Sequence, residues 1–156
     1  MGRKKLNEKD FYLTLWKYFT IHGSQRIKLL NFYIVLECFF INAFFTLTQK
    51  TDEHLAYKAA ICVFMIFFSL IFRVLDLRTN SIIKIVEKSI RKIEKKNMKK
   101  LNSNFMIFSI EKEITDNLRK KSTLYHLLSY SKTFIFIYLF FPILGIIFLY
   151  CTLVYK

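Results

Sequence analysis

Long apolar runs alternate with strongly charged stretches along this chain. Residues 27–47, 59–77 and 133–154 are each dominated by Ile, Leu, Val, Phe and Tyr. Each is about 20 residues long, the length at which a helix crosses roughly 30 Å of hydrocarbon. A water-soluble helix would break such a run with a polar face every turn. The pattern predicts an all-α integral membrane protein. Its expected parts are an N-terminal amphipathic helix on the cytoplasmic side (1–23), a transmembrane hairpin of spans one and two (24–77), a basic cytoplasmic helical hairpin (78–131) and a third transmembrane helix (132–156).

The charged stretches carry their own periodicity. No Gly or Pro lies between Gly23 and Pro142, so helices should run long and end at caps rather than at breakers. Asn7 reads as an N-cap, with Leu6 and Phe11 placed as a hydrophobic staple. Phe11, Leu15, Tyr18 and Phe19 then recur at helical spacing beside Tyr12 and Trp16. Two readings stand for this basic, aromatic face: the lipid headgroup zone, or packing on the cytoplasmic helices of the same chain. Gly23 is placed to end the helix and Ser24 to cap the next.

Past span two, Ile83, Val86, Ile90 and Ile93 repeat at spacings of three and four, a short coiled-coil-like seam suited to assembly. A helix continuous from 59 to about 97 would be ~58 Å long. Residues 97–104 read as a turn. A second helix over 105–121 would place Ile107, Ile110, Ile114 and Leu118 on one face, and Ser122 would cap a short piece over 123–131 leading into span three. A strand at 105–108 is the alternative, without a visible partner.

Charge turns these segments into a topology. The net charge is +14, and the basic residues avoid the apolar runs. Six of them precede span one, Arg26 the last; the connection between spans one and two holds only Lys50 against Asp52 and Glu53; the next connection is crowded with Lys and Arg. The positive-inside rule then gives a cytoplasmic N-terminus and an outer C-terminus in a prokaryotic inner membrane. No cleavable signal is expected, because no small-x-small site follows the first run. Within 84–100, Lys88, Arg91, Lys92, Lys95 and Lys96 lie beside the membrane, where anionic headgroups are the nearest partner, at about 1 kcal/mol per basic residue. Nucleic acid is the weaker fit, since stacking aromatics are missing there.

Candidate chemistry is sparse. Glu37 falls about ten residues into span one, where insertion of an ionised carboxylate costs on the order of 3 kcal/mol. Asn31 and Asn42 share that span, and Glu37, Phe44 and Thr48 share a helical stripe. Asn31, Glu37, Asn42 and Thr48 are therefore the candidates for a pore or a span interface. One reading makes Glu37 a protonated hydrogen-bonding contact between helices; the other makes it part of an acidic ring that favours cations in an oligomer. At the cytoplasmic end, Arg26, Arg73, Asp76 and Arg78 are expected to form an anchoring or gating cluster, with Asp76 meeting Arg26 or Arg73 and Asn31 nearby.

No enzymatic function is expected. There is no catalytic triad, phosphate loop or paired-carboxylate site, and Arg119-x6-His126 fits the HEPN ribonuclease spacing only loosely. Cys38, Cys62 and Cys151 all fall in apolar runs, read as small core residues rather than as disulfides or zinc ligands. No metal and no cofactor is expected. Pro142 and Gly145 are the hint of a broken helix that a transporter would need.

Trp16 with Tyr18-Phe19, Gln25-Arg26, Asn31-Phe32, then Leu75-Asp76-x-Arg78 and Glu87 resemble a group of small prokaryotic membrane proteins encoded with phage-defence modules, linked to CRISPR, retron or cyclic-nucleotide systems. The resemblance covers roughly residues 11–95. It implies an oligomeric effector that forms a pore or otherwise perturbs the inner membrane when infection is sensed, with a defence-system protein as a possible partner. No ligand-sensing domain is recognisable. The alternative is a membrane anchor that recruits a soluble partner through its basic hairpin.

Overall fold

The structure is a computed structural model and describes residues 8–49, 55–96, 106–121 and 130–154. The described residues form four helices: α1 (Glu8–Thr48), α2 (Leu55–Lys96), α3 (Ile107–Lys121) and α4 (Tyr130–Val154). α1, α2 and α4 are each long and apolar enough to cross a membrane. The expected cap at Asn7, the staple residue Leu6, the turn at 97–104 and most of the short piece at 123–131 lie outside the described residues.

Three boundaries differ from the sequence reading. α1 does not end at Gly23 but runs through it. A single helical glycine costs only about 1 kcal/mol against alanine, and no glycine among the described residues takes a positive φ. Ser24 does not cap a new helix; its hydroxyl donates back to the Ile21 carbonyl at 2.9 Å, the usual behaviour of serine inside a helix. The strand alternative at 105–108 is replaced by the first turn of α3, where the Ser109 and Ile110 amides both donate to the Met106 carbonyl. Finally, α4 is continuous through Pro142, so the broken helix of a transporter is not formed. Proline removes one backbone hydrogen bond, a loss that helices in apolar surroundings tolerate.

The chain divides into two compact units. The first draws on Met1–Arg26 and Arg78–Ser129. Its core is Val86, Ile90 and Phe108, against which Tyr12, Leu15, Phe19 and Ile82 pack. Phe108 meets Trp16 and Phe19 edge-on, with ring centroids 5.5 and 5.0 Å apart. Of the N-terminal aromatic face, Tyr12, Leu15 and Phe19 pack on the chain's own helices, while Phe11, Trp16 and Tyr18 are exposed. On the α3 face marked by Ile107, Ile110, Ile114 and Leu118, the three isoleucines are exposed, while Met106 and Phe108 are buried. Phe108 packs with Val86 and Ile90.

The second unit draws on Ile27–Leu77 and Tyr130–Lys156. Three helical segments bury Leu30, Tyr33, Phe72, Phe134, Tyr138 and Phe141. Aromatic pairs fill it, including Tyr33 with Tyr138 at 4.9 Å and a parallel Phe44–Phe148 stack at 4.5 Å. At Gly145 of α4 the α2 backbone comes close: a Cβ there would lie 3.4 Å from the Cys62 carbonyl oxygen and 3.3 Å from Ile66.

Candidate functional site

The second unit has its polarity reversed relative to a water-soluble protein. Val35, Phe39, Phe67, Leu70, Phe136 and Ile143 are half or more exposed, whereas Tyr33, Glu37 and Ser69 are essentially inaccessible. Water-soluble chains rarely expose continuous apolar surface while sealing a carboxyl inside.

That sealed group is the candidate site. Tyr33 and Glu37 are four residues apart on α1 and so share one face. Ser69 enters from α2, and its small side chain lets the two helices approach. The Tyr33 hydroxyl lies 2.8 Å from Ser69 Oγ, and Ser69 Oγ donates to Glu37 Oε1 at 2.9 Å. A serine hydroxyl has one proton, so with the Glu37 carboxyl accepting from Ser69, the Tyr33 hydroxyl is the donor to Ser69. The second carboxyl oxygen, Glu37 Oε2, is buried without a hydrogen-bond partner among the described residues. A buried polar group left unmatched costs roughly 1–3 kcal/mol. This chain therefore links two helices at a point where one acceptor remains unsatisfied.

The other span-one candidates do not join it. Asn31 and Asn42 are exposed on a different face of α1. The Thr48 hydroxyl donates to the carbonyl of Phe44 on its own helix at 2.8 Å. The stripe of Glu37, Phe44 and Thr48 thus splits, with Glu37 and Phe44 buried. Of the three cysteines, Cys62 is buried, but Cys38 and Cys151 face outward, a correction to the reading of all three as core residues.

The candidates for the anchoring or gating cluster are partly brought together. Arg73 lies 3.4 Å from Asp76, which is 1% exposed. Within the first unit, Arg26 is buried and donates to Asn80 Oδ1 at 3.2 Å. Arg78 and Asn31 are exposed. Ile83, Val86 and Ile90 of the expected assembly seam are buried within the single chain, and Ile93 is half-buried. Lys88, Lys92, Lys95 and Lys96 are exposed and Arg91 is half-buried.

Tyr33 and Ser69 were not among the sequence candidates, and a third residue, Glu94, escaped the sequence reading as well. Glu94 is 2% exposed, and it caps α3: Oε1 accepts from the Phe108 amide at 3.3 Å, and Oε2 from the Ser109 amide at 3.0 Å and the Ser109 hydroxyl at 2.7 Å. A carboxylate at a helix N-terminus also meets the positive end of the helix dipole. The available signal was register, since Glu94 follows Ile90 by four residues and so falls on the buried side of the seam. Burial, reinforced by the nearby Glu94 carboxylate, raises the Tyr12 phenol above its ordinary value of 10.0. Burial likewise raises the Glu87 carboxyl, with Arg91 and Lys84 opposing and Glu111 reinforcing the shift.

Fold and site together define a small helical protein with a sealed interhelical polar chain and three helices of membrane-crossing length and apolarity. In sequence the chain is similar to CD-NTase-associated protein 19 of Escherichia coli, at 31% identity over 80 residues. That match covers 51% of this chain and 53% of the relative, so the chain spans about half the length of the curated relative it matches. The relative supports the association with phage-defence modules expected from the short motifs. No family model and no solved structure matches the chain.

Proposed function

We propose that this chain is an integral inner-membrane effector of antiviral defence that works with a CD-NTase-linked module, assembles as an oligomer, and opens or weakens the membrane when triggered. The observation that carries the reading is the reversed polarity of the second unit: apolar outside, with Tyr33, Ser69 and Glu37 sealed within. Hydrocarbon is the solvent that such a surface suits. The basic residues flanking the spans orient the N-terminus to the cytoplasm and the C-terminus outward. The relative's association with a CD-NTase supplies the class of partner.

Glu37 has the position of a latch rather than of a pore lining, because it closes α1 onto α2 inside one subunit. Opening the bundle would free Glu37, Ser69 and Tyr33 together. Membrane potential, read with a voltage-sensitive dye in bacteria that carry the defence module, tests the reading. Depolarisation on triggering, altered by Glu37→Gln, is the expected result; an unchanged potential with and without trigger would sink it.

A second reading rests on the exposed row of Lys88, Lys92, Lys95 and Lys96 on α2. In it the chain is an anchor, and this row holds a soluble acidic partner or anionic headgroups. Charge reversal at Lys92, Lys95 and Lys96 would then abolish function, while Glu37→Gln would leave it intact.

A further inference from the structure

One outward face of α1 does not suit lipid. Asn31, Val35, Cys38, Asn42 and Thr46 follow one another at spacings of four, three, four and four residues, which sets them on a single helical face, and all five are exposed. The Thr46 hydroxyl donates to the Asn42 carbonyl at 2.9 Å and approaches Asn42 Oδ1 at 3.5 Å. The Asn42 amide NH2 has no partner among the described residues. A shallow hollow surrounds it, lined by Phe39, Asn42, Ala43, Thr46 and Leu47. The outward faces of α2 and α4 in the same unit carry Val63, Phe67 and Leu70, and Phe136, Ile143 and Ile147, which lipid chains cover without cost.

We infer that this face of α1 is the contact between two copies of the chain in the membrane, paired in parallel about a two-fold axis, with Asn42 hydrogen-bonded to its twin. The inference rests on the reading that α1 crosses the membrane. Every copy then inserts with the same orientation, so a two-fold axis along the membrane normal sets each residue at the same depth as its twin. An asparagine amide carries both a donor and an acceptor; it is therefore complementary to itself. Cys38, Ala43 and Thr46 are small, and small side chains beside a polar one let two helices approach within bonding distance in lipid. The pairing leaves Glu37 untouched inside each subunit, so assembly and the internal latch are separate features of the same helix.

Cys38 makes the inference directly testable, because like meets like along the face. Full-length protein carrying Cys62→Ala and Cys151→Ala retains Cys38 alone and is oxidised in native membranes with copper phenanthroline. A disulfide-linked dimer on a non-reducing gel is expected. A second protein with Cys38→Ala, Cys62→Ala, Cys151→Ala and Phe136→Cys reports random collision through the outward face of α4, and should cross-link much less. Adding Asn42→Leu to the Cys38 protein should weaken dimerisation about tenfold, with helicity by circular dichroism unchanged. Monomer on the oxidised gel, with oligomers still seen by amine cross-linking, overturns this face and leaves the oligomeric reading standing. Monomer by both methods overturns both, and lipid then covers the face. Equal cross-linking at Cys38 and at Phe136→Cys also overturns the inference.

Discussion

Ser69 Oγ sits 2.9 Å from Glu37 Oε1 and 2.8 Å from the Tyr33 hydroxyl, so one small hydroxyl holds two groups of α1 onto α2. Its removal strands both at once. Ser69→Ala in purified, detergent-solubilised protein should lower stability, and Glu37→Leu should cost less once Ser69 is already gone. A double-mutant cycle on unfolding free energies should return a coupling of about 0.6–1.7 kcal/mol, the range of hydrogen bonds between helices in apolar surroundings. Strict additivity would show that the two side chains do not interact.

Glu94 makes a comparable contribution in the first unit, where it accepts from two α3 amides and a hydroxyl. Glu94→Ala leaves those donors without their acceptor and should destabilise the unit by about 1–3 kcal/mol. Glu94→Gln keeps one acceptor oxygen and should fall between. Hydrogen exchange at the Phe108 and Ser109 amides locates the effect: both should lose protection in the alanine variant, while amides in the middle of α2 keep theirs.

How much of this was legible beforehand depends on which physical quantity each feature needs. The three spanning-length helices were readable because an apolar run of that length has few other uses. Glu37 was readable as chemistry, since a carboxyl in such a run is costly wherever it points. Its partners were not. Tyr33 and Ser69 meet it only because of the rotation of α1 against α2, which a single sequence does not encode at the level of one residue. The same limit explains α3, where the isoleucine spacing marked a face but not the side it turns to; Phe108, one step off that stripe, fills the core instead. Gly23 misled for a different reason, because the weak penalty of one glycine was outweighed by apolar and aromatic helix on both sides of it.

Glu87 gives a pH-dependent signature. Burial is the leading cause that raises its carboxyl above the ordinary 4.5, with Glu111 adding and Arg91 and Lys84 opposing. An acid whose folded value is raised favours the folded state fully below the unfolded value, and that contribution is lost as the pH climbs through the folded one. Glu87→Gln should therefore raise the melting temperature of the detergent-solubilised protein at pH 7, with the advantage shrinking as the pH falls through the raised folded value and gone once it is below the ordinary 4.5. A gain that stays constant across that range would assign the effect to packing rather than to charge.

The two helical glycines should respond in opposite ways. Around Gly23 nothing lies within 4 Å of an added Cβ, and the helix on either side is regular, so Gly23→Ala should stabilise α1 by about 0.5–1 kcal/mol through reduced freedom of the unfolded chain. At Gly145 the same methyl would sit 3.3 Å from Ile66 Cγ1, and 3.4 Å from both Met65 Cβ and the Cys62 carbonyl oxygen. The isoleucine can shift; the backbone carbonyl of α2 cannot move without moving its helix. Gly145→Ala should thus be mildly destabilising, and Gly145→Val, which adds two further methyls at the same point, should cost about 1–3 kcal/mol. Denaturant titrations of the three variants side by side check the contrast. Equal tolerance of valine at Gly145 would mean that α4 does not rest against α2 at this point.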